Sequence, residues 1–142
     1  MRDVMSAEHE AFRSQLRRFL EAEVVPHHEE WAEIGNVPRE IWRRAGELGF
    51  LCPMVAEEYG GAGCDFGFAA VVTEEIARLN VTGLGFTMHS EIVAPYIAAY
   101  ATEEKKREWL PKMVSGEMIG ALGMTEPGTG SDVKAIKTRA VR

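Results

Sequence analysis

With 142 residues, 46% of them hydrophobic, the chain is long enough to bury one ordinary core, and the lack of low-complexity or long polar tracts excludes disorder over any large part. Sixteen Lys and Arg against 22 Asp and Glu give a formal net charge of -6, and Arg13, Arg17, Arg18, Arg39, Arg43 and Arg44 alternate with acids as on solvated helix faces, which argues against a nucleic-acid partner. Cys52 and Cys64 alone neither demand a disulfide nor make a metal site, no apolar run reaches the roughly 18 residues that span a bilayer, and no signal or transit segment is visible, so a cytoplasmic protein without metal or membrane span is expected.

Over residues 6–25, Phe12, Leu16, Phe19, Leu20 and Val24 recur at steps of three and four, which predicts an amphipathic helix that Pro26 stops. His27, His28, Glu29 and Glu30 read as a solvated loop, because adjacent histidines point to different sides of the chain and no second cluster supplies metal ligands. A second helix starts at Val37-Pro38, buries Ile41, Trp42, Ala45 and Leu48, and ends at Gly49. Residues 50–64, with Pro53, Gly60, Gly61 and Gly63, predict an ordered loop. A third helix over 65–79 is apolar around most of its circumference and belongs at the centre of a bundle.

A fourth helix runs over 83–100, where Pro95 should bend or locally open it. One histidine without an identified partner, His89, reads as structural there. Thr102 caps a fifth helix whose inner face is Trp109, Leu110 and Met113 and which Gly116 closes. The expected fold class is therefore mainly α: an N-terminal bundle of about five helices over 1–116, followed by the first strands of a truncated β domain over 117–142. An extended run over 118–124 and a candidate strand over 136–141 carry that second expectation, and such strands bury no core alone.

Candidate chemistry concentrates in residues 122–132, Leu-Gly-Met-Thr-Glu-Pro-Gly-Thr-Gly-Ser-Asp. Gly128 and Gly130 permit backbone conformations closed to other residues, and bare N–H groups with the hydroxyls of Thr125, Thr129 and Ser131 suit an anion or a flat polar ring. A polar glycine turn between two strands explains the same residues, and on composition alone it is the commoner explanation. No Gly-Lys-Ser or Gly-Lys-Thr follows, the three-glycine dinucleotide spacing is absent, and Ser131 lacks the flanking glycines of a hydrolase elbow.

Residues 124–132 resemble the signature of the acyl-CoA dehydrogenase family, ahead of Ile136-Lys137-Thr138. Three further pieces are similar to that family in order and spacing: residues 56–63 to its loop between early helices, Glu74-Glu75 to its central helix, and residues 110–116 to its fifth helix and turn. The resemblance implies an N-terminal helical domain, a middle β domain and a C-terminal bundle that hold FAD between them, usually in a homotetramer. It implies that Leu122, Met124 and Thr125 approach the flavin ring, while Gly130 and Ser131 meet its pyrophosphate side and Ser131 the acyl-CoA thiolester arm. It further implies oxidation of acyl-CoA to trans-2-enoyl-CoA in fatty-acid β-oxidation, with an electron-transferring flavoprotein as acceptor. The catalytic base would lie outside this chain, Glu126 belonging to the turn, so the chain alone is expected to be an inactive fragment. Residues 26–31 and 85–90 look most like the long-chain branch, where Gly85 would leave room for the acyl tail. The alternative is a non-catalytic helical binding module derived from that fold.

Overall fold

A computed structural model describes residues 5–141; the reading of the extreme amino terminus for a signal segment falls on Met1 to Val4, outside the described residues. Helix α1, Ala7–Phe19, starts at Ser6, whose hydroxyl accepts from the His9 N–H while the His9 ring accepts from the Ser6 N–H, so two otherwise orphaned donors are satisfied reciprocally. A π-helical turn, Leu20–Val24, and a 3-10 turn, Val25–His27, follow where Pro26 removes a donor from the ladder. The expected solvated loop is instead helix α2, His28–Ile34. Its single buried side chain, Trp31, stacks with His27 at a ring separation of 5.6 Å, and that one large apolar anchor suffices to pin a polar helix to the body. Gly35 ends α2 with φ 73°.

Helix α3, Arg39–Glu47, buries Trp42 and Ala45, and helix α4, Phe66–Arg78, buries Ala69, Val71, Val72, Glu75 and Ile76. Asp65 caps α4 by accepting from the Gly67 N–H, and His9 Nε2 lies 2.9 Å from the same carboxylate, so one imidazole joins the starts of α1 and α4. The expected fourth helix divides into a π-helical stretch, Met88–Val93, and helix α5, Ala94–Tyr100, with Pro95 in the first turn of the latter. A proline there withholds a backbone donor from the preceding turn, and the ladder widens to accommodate it. Helix α6, Glu103–Val114, is capped by Thr102.

Two apolar clusters fill the body. One gathers Leu16, Phe19, Leu20, Val24, Trp42, Phe50, Val71, Val72, Leu84 and Phe86 between α1, α3 and α4. The other places Leu110 and Met113 of α6 against Cys52, Val55 and Ala94. Backbones meet directly where α3 crosses the end of α6. A Cβ added at Gly46 would stand 2.4 Å from the Ser115 carbonyl carbon, and one at Gly116, already at φ 72°, 2.2 Å from the Trp42 carbonyl oxygen.

Beyond Glu117 no further α-helix and no strand ladder forms among the described residues. Ile119 still packs on the first cluster and Met118 on the second, but the stretch beyond carries only a bridge between Glu126 and Thr129 and a 3-10 turn, Val133–Ala135. The expected first strands are thus irregular chain, because a strand is held by ladder bonds to neighbours and none of the described residues offers them. No helix among the described residues is long and apolar enough to cross a membrane.

Candidate functional site

The turn at 125–132 is shaped by Glu126. Its N–H donates to the Thr129 carbonyl and its carbonyl accepts from the Thr129 N–H, each at 3.0 Å. Its carboxylate accepts from the backbone N–H groups of Lys137 at 3.0 Å and Thr138 at 2.8 Å, and from the Thr138 hydroxyl. Those bonds, the Thr138 hydroxyl foremost, hold the carboxyl below the ordinary glutamate range. A carboxylate stabilised in this way makes a poor proton acceptor, so Glu126 is a staple of the turn, as expected from its place in the motif.

The predicted ligand-facing residues lie on the outside of that staple. Leu122 and Met124, two positions apart, are 46% and 59% exposed, a large apolar outlay for so short a run, and Thr125, Gly130 and Ser131 are exposed as well. Thr129 is buried, yet its hydroxyl has no partner. Gly128 and Gly130 do not take the left-handed backbone that their sequence context suggested, and a Cβ on either would meet nothing within 4 Å. Neither strain nor crowding within the chain accounts for these two glycines; what they do is leave the main chain bare.

The run leading into the turn is fixed to the helical body by His89. That ring is wholly buried, with Nε2 3.0 Å from the Met113 carbonyl oxygen and Nδ1 2.9 Å from the Gly120 nitrogen. The sequence-based reading of His89 as structural is consistent with these partners. Cys52 Sγ stands 3.4 Å from Nε2, but this is not a nucleophile and its base: burial pushes the thiol up to about 12 and depresses the imidazole below its ordinary value. Cys52 itself has φ 50°, and its N–H donates to the Ser90 hydroxyl at 3.0 Å.

Gly85, the other predicted substrate position, has φ 76° at the end of the 3-10 turn Thr82–Leu84, and a Cβ there would lie 3.7 Å from the Trp42 ring. It is not in contact with the 122–132 segment through any bond described. Between the Met54–Tyr59 loop and the Ser90–Ala99 stretch lies a largely apolar groove of about 470 Å³, lined by Val55, Tyr59, Pro95 and Ala98 among others. A larger cleft of about 710 Å³ is lined by Glu10, Arg13, Arg17, Glu74, Glu75 and Arg78, whose charges are spent on one another.

Two features escaped sequence reasoning. Glu75, fully buried, is ringed by Arg17, Arg13 and Arg78, and those hydrogen bonds, Arg17 first, outweigh burial and hold its carboxyl at about 2. Glu91 is the reverse case: both carboxyl oxygens are buried without a partner, and desolvation pushes it up to about 7. Its signal was available, an acid between Ser90 and the apolar Ile92-Val93-Ala94.

Comparison with known proteins gives consistent matches. The model of the acyl-CoA dehydrogenase N-terminal domain matches residues 6–117. The long-chain specific acyl-CoA dehydrogenase, mitochondrial, of Sus scrofa is 49% identical over 140 residues, covering 99% of this chain and 33% of the relative. A crystal structure of acyl-CoA dehydrogenase from Geobacillus kaustophilus superposes with a TM-score of 0.88 at 48% identity, over 93% of this chain and 35% of that one. A glutaryl-CoA dehydrogenase of Mycobacterium smegmatis in complex with FADH2 superposes with a TM-score of 0.85 at 28% identity, over 100% of this chain and 37% of that one. The chain spans about a third of the length of the curated relatives it matches.

Proposed function

The chain belongs to the acyl-CoA dehydrogenase family, and from that premise we propose that it is the amino-terminal part of a flavoenzyme that oxidises a long-chain acyl-CoA to the trans-2-enoyl-CoA in fatty-acid β-oxidation. In this reading residues 1–116 are the helical domain and 117–142 the start of a middle β domain. FAD is the cofactor, as FADH2 is in the Mycobacterium smegmatis structure. The observation that carries the proposal is the 122–131 turn. It offers two exposed apolar side chains, a buried hydroxyl without a partner on Thr129 and two glycines that nothing in the chain requires, which is what a flat, polar-edged ligand approaching the backbone would use.

Leu122, Met124 and Thr125 would then face the flavin ring, Gly130 and Ser131 its pyrophosphate side, and Ser131 with Gly85 the acyl-CoA. The flavin, when bound, supplies the acceptor for the β hydrogen as hydride. The chain's own residues orient and shield. Abstraction of the α proton needs a carboxylate poised near the thiolester; Glu126, committed to Lys137 and Thr138, is ill suited to that task, and this reading assigns the base to a part of the enzyme beyond this chain and expects the chain alone to be inactive. An electron-transferring flavoprotein as acceptor and a homotetramer belong to the same reading. So does a cytoplasmic location, against which stands the mitochondrial one in the pig relative's name; cell fractionation decides between them.

The experiment is the visible spectrum of the full-length protein and of this chain, under anaerobic conditions, with and without palmitoyl-CoA. Flavin absorbance that bleaches on addition of the thioester in the full-length form, beside a colourless isolated chain, is expected. Flavin in neither would overturn the enzyme and leave a helical binding module.

A further inference from the structure

His89 is contributed by the π-helical stretch Met88–Val93 and is 0% exposed. Its two nitrogens have partners of opposite kind. The Met113 carbonyl, 3.0 Å from Nε2, only accepts, so Nε2 carries the hydrogen; the Gly120 N–H, 2.9 Å from Nδ1, only donates, so Nδ1 is bare. The tautomer is therefore fixed by the partners. Trp42 meets the ring edge-on at 5.3 Å, which fixes its plane. One ring thus ties the last turn of α6 to the run that reaches Leu122 two residues after Gly120.

Gly120 is gripped from a second side. A Cβ there would stand 2.7 Å from Val93 Cγ1 and 2.9 Å from Met113 Cε, so the run leaves the helical body through a slot cut to the width of a glycine. Both grips come from the same two elements, the π-helical stretch and α6.

We propose that His89 is a positioning residue for the 122–131 turn: by holding the Gly120 N–H and the Met113 carbonyl on opposite nitrogens of one neutral ring, it sets where that turn departs from the helical body and hence how it presents itself to flavin. The inference rests on the flavin reading given above. The role needs an acceptor and a donor held about one ring apart, not a titrating group. A glutamine amide can reproduce both bonds, whereas phenylalanine fills the space and makes neither.

The test uses the full-length flavoprotein and three variants, His89→Gln, His89→Phe and Gly120→Ala, with FAD as the probe. Folding is checked by thermal melting, the grip by hydrogen exchange at the Gly120 amide, and the outcome by FAD affinity and the position of the flavin absorption bands. The Gln variant is expected to keep slow Gly120 exchange and FAD affinity within twofold of the parent. The Phe variant should speed that exchange and weaken FAD about tenfold, the worth of one to two buried hydrogen bonds, with shifted bands. Gly120→Ala, with His89 intact, should weaken FAD in the same sense. Faster Gly120 exchange in the Phe variant with unchanged FAD affinity overturns the inference and leaves the flavin reading standing. Equal losses in the Gln and Phe variants also overturn it, since volume rather than the two bonds would then matter. If the Phe variant does not fold, unchanged FAD affinity in Gly120→Ala overturns it. A parent protein that binds no FAD removes the flavin reading itself, and the inference with it.

Discussion

Glu75 shows how a fully buried charge is kept. Arg17 reaches both of its oxygens, at 2.7 and 2.8 Å, and Arg13 and Arg78 add bonds at 3.1 and 3.2 Å. Because the folded carboxyl titrates at about 2 against an ordinary 4.5, the ring of arginines contributes stability that is present above 4.5 and is lost as pH falls toward 2. Removing the charge with Glu75→Gln leaves three guanidinium groups facing an amide and should cost about 2–4 kcal/mol at neutral pH, read by urea unfolding. It should also flatten the acid limb of the stability profile. Glu91 has the opposite sign. Its folded carboxyl titrates at about 7, so the folded state increasingly suffers as pH rises from 4.5 through 7. Glu91→Gln should stabilise the chain by about 1–3 kcal/mol at pH 8, where the buried carboxyl ionises without a partner, and change nothing at pH 4. Equal unfolding curves for the two forms at pH 8 would show that the carboxyl finds a partner. The thiols divide similarly: Cys64, half-buried, should react with a thiol reagent in the folded protein, and Cys52, pushed up to about 12, only after denaturation. Glu91 was marked in the sequence by the apolar run that follows it, whereas the surroundings of Glu75 were not legible in advance. Apolar periodicity identifies what is buried among like residues, whereas the fate of a buried acid depends on partners some 58 residues away, as Arg17 is from Glu75.

At the level of elements, the helices with sustained periodicity were legible and the short ones were not. Residues 6–25 read as one helix from Phe12, Leu16, Phe19 and Val24, and the structure keeps that direction while widening the last turn into a π-helix before Pro26. Helix α2 carries one buried residue in seven, too few for any period to show, so its histidines and acids read as loop. Pro95 was informative because a missing donor has a local consequence, and the disturbance falls on the preceding turn. The α3 to α6 crossing was not legible: nothing in Ala45-Gly46-Glu47 announces that Ser115 lies against it. Gly46→Ala should destabilise by about 1–3 kcal/mol, since backbone rather than a flexible side chain must give way, and a melting temperature equal to the parent's would contradict that contact.

For the whole molecule, the candidate site was legible as a motif and only partly as physics. The glycine-rich turn and its hydroxyls were visible, and so was the assignment of Glu126 to the turn. The reason for the glycines was not, because their open surroundings concern what lies outside the chain. The runs over 118–124 and 136–141, likewise, read as strands by composition and form none, since pairing is a property of two segments.

The staple formed by Glu126 has an entropic side. Its carboxylate bonds to Lys137 and Thr138 close a ring of about a dozen residues, and closing such a ring on folding removes conformations that the open turn would otherwise lose on meeting a ligand. The turn therefore arrives preorganised. Loosening it with Glu126→Ala should appear in calorimetry as a less favourable binding entropy and a slower association with FAD, while the heat of the contacts themselves stays near that of the parent.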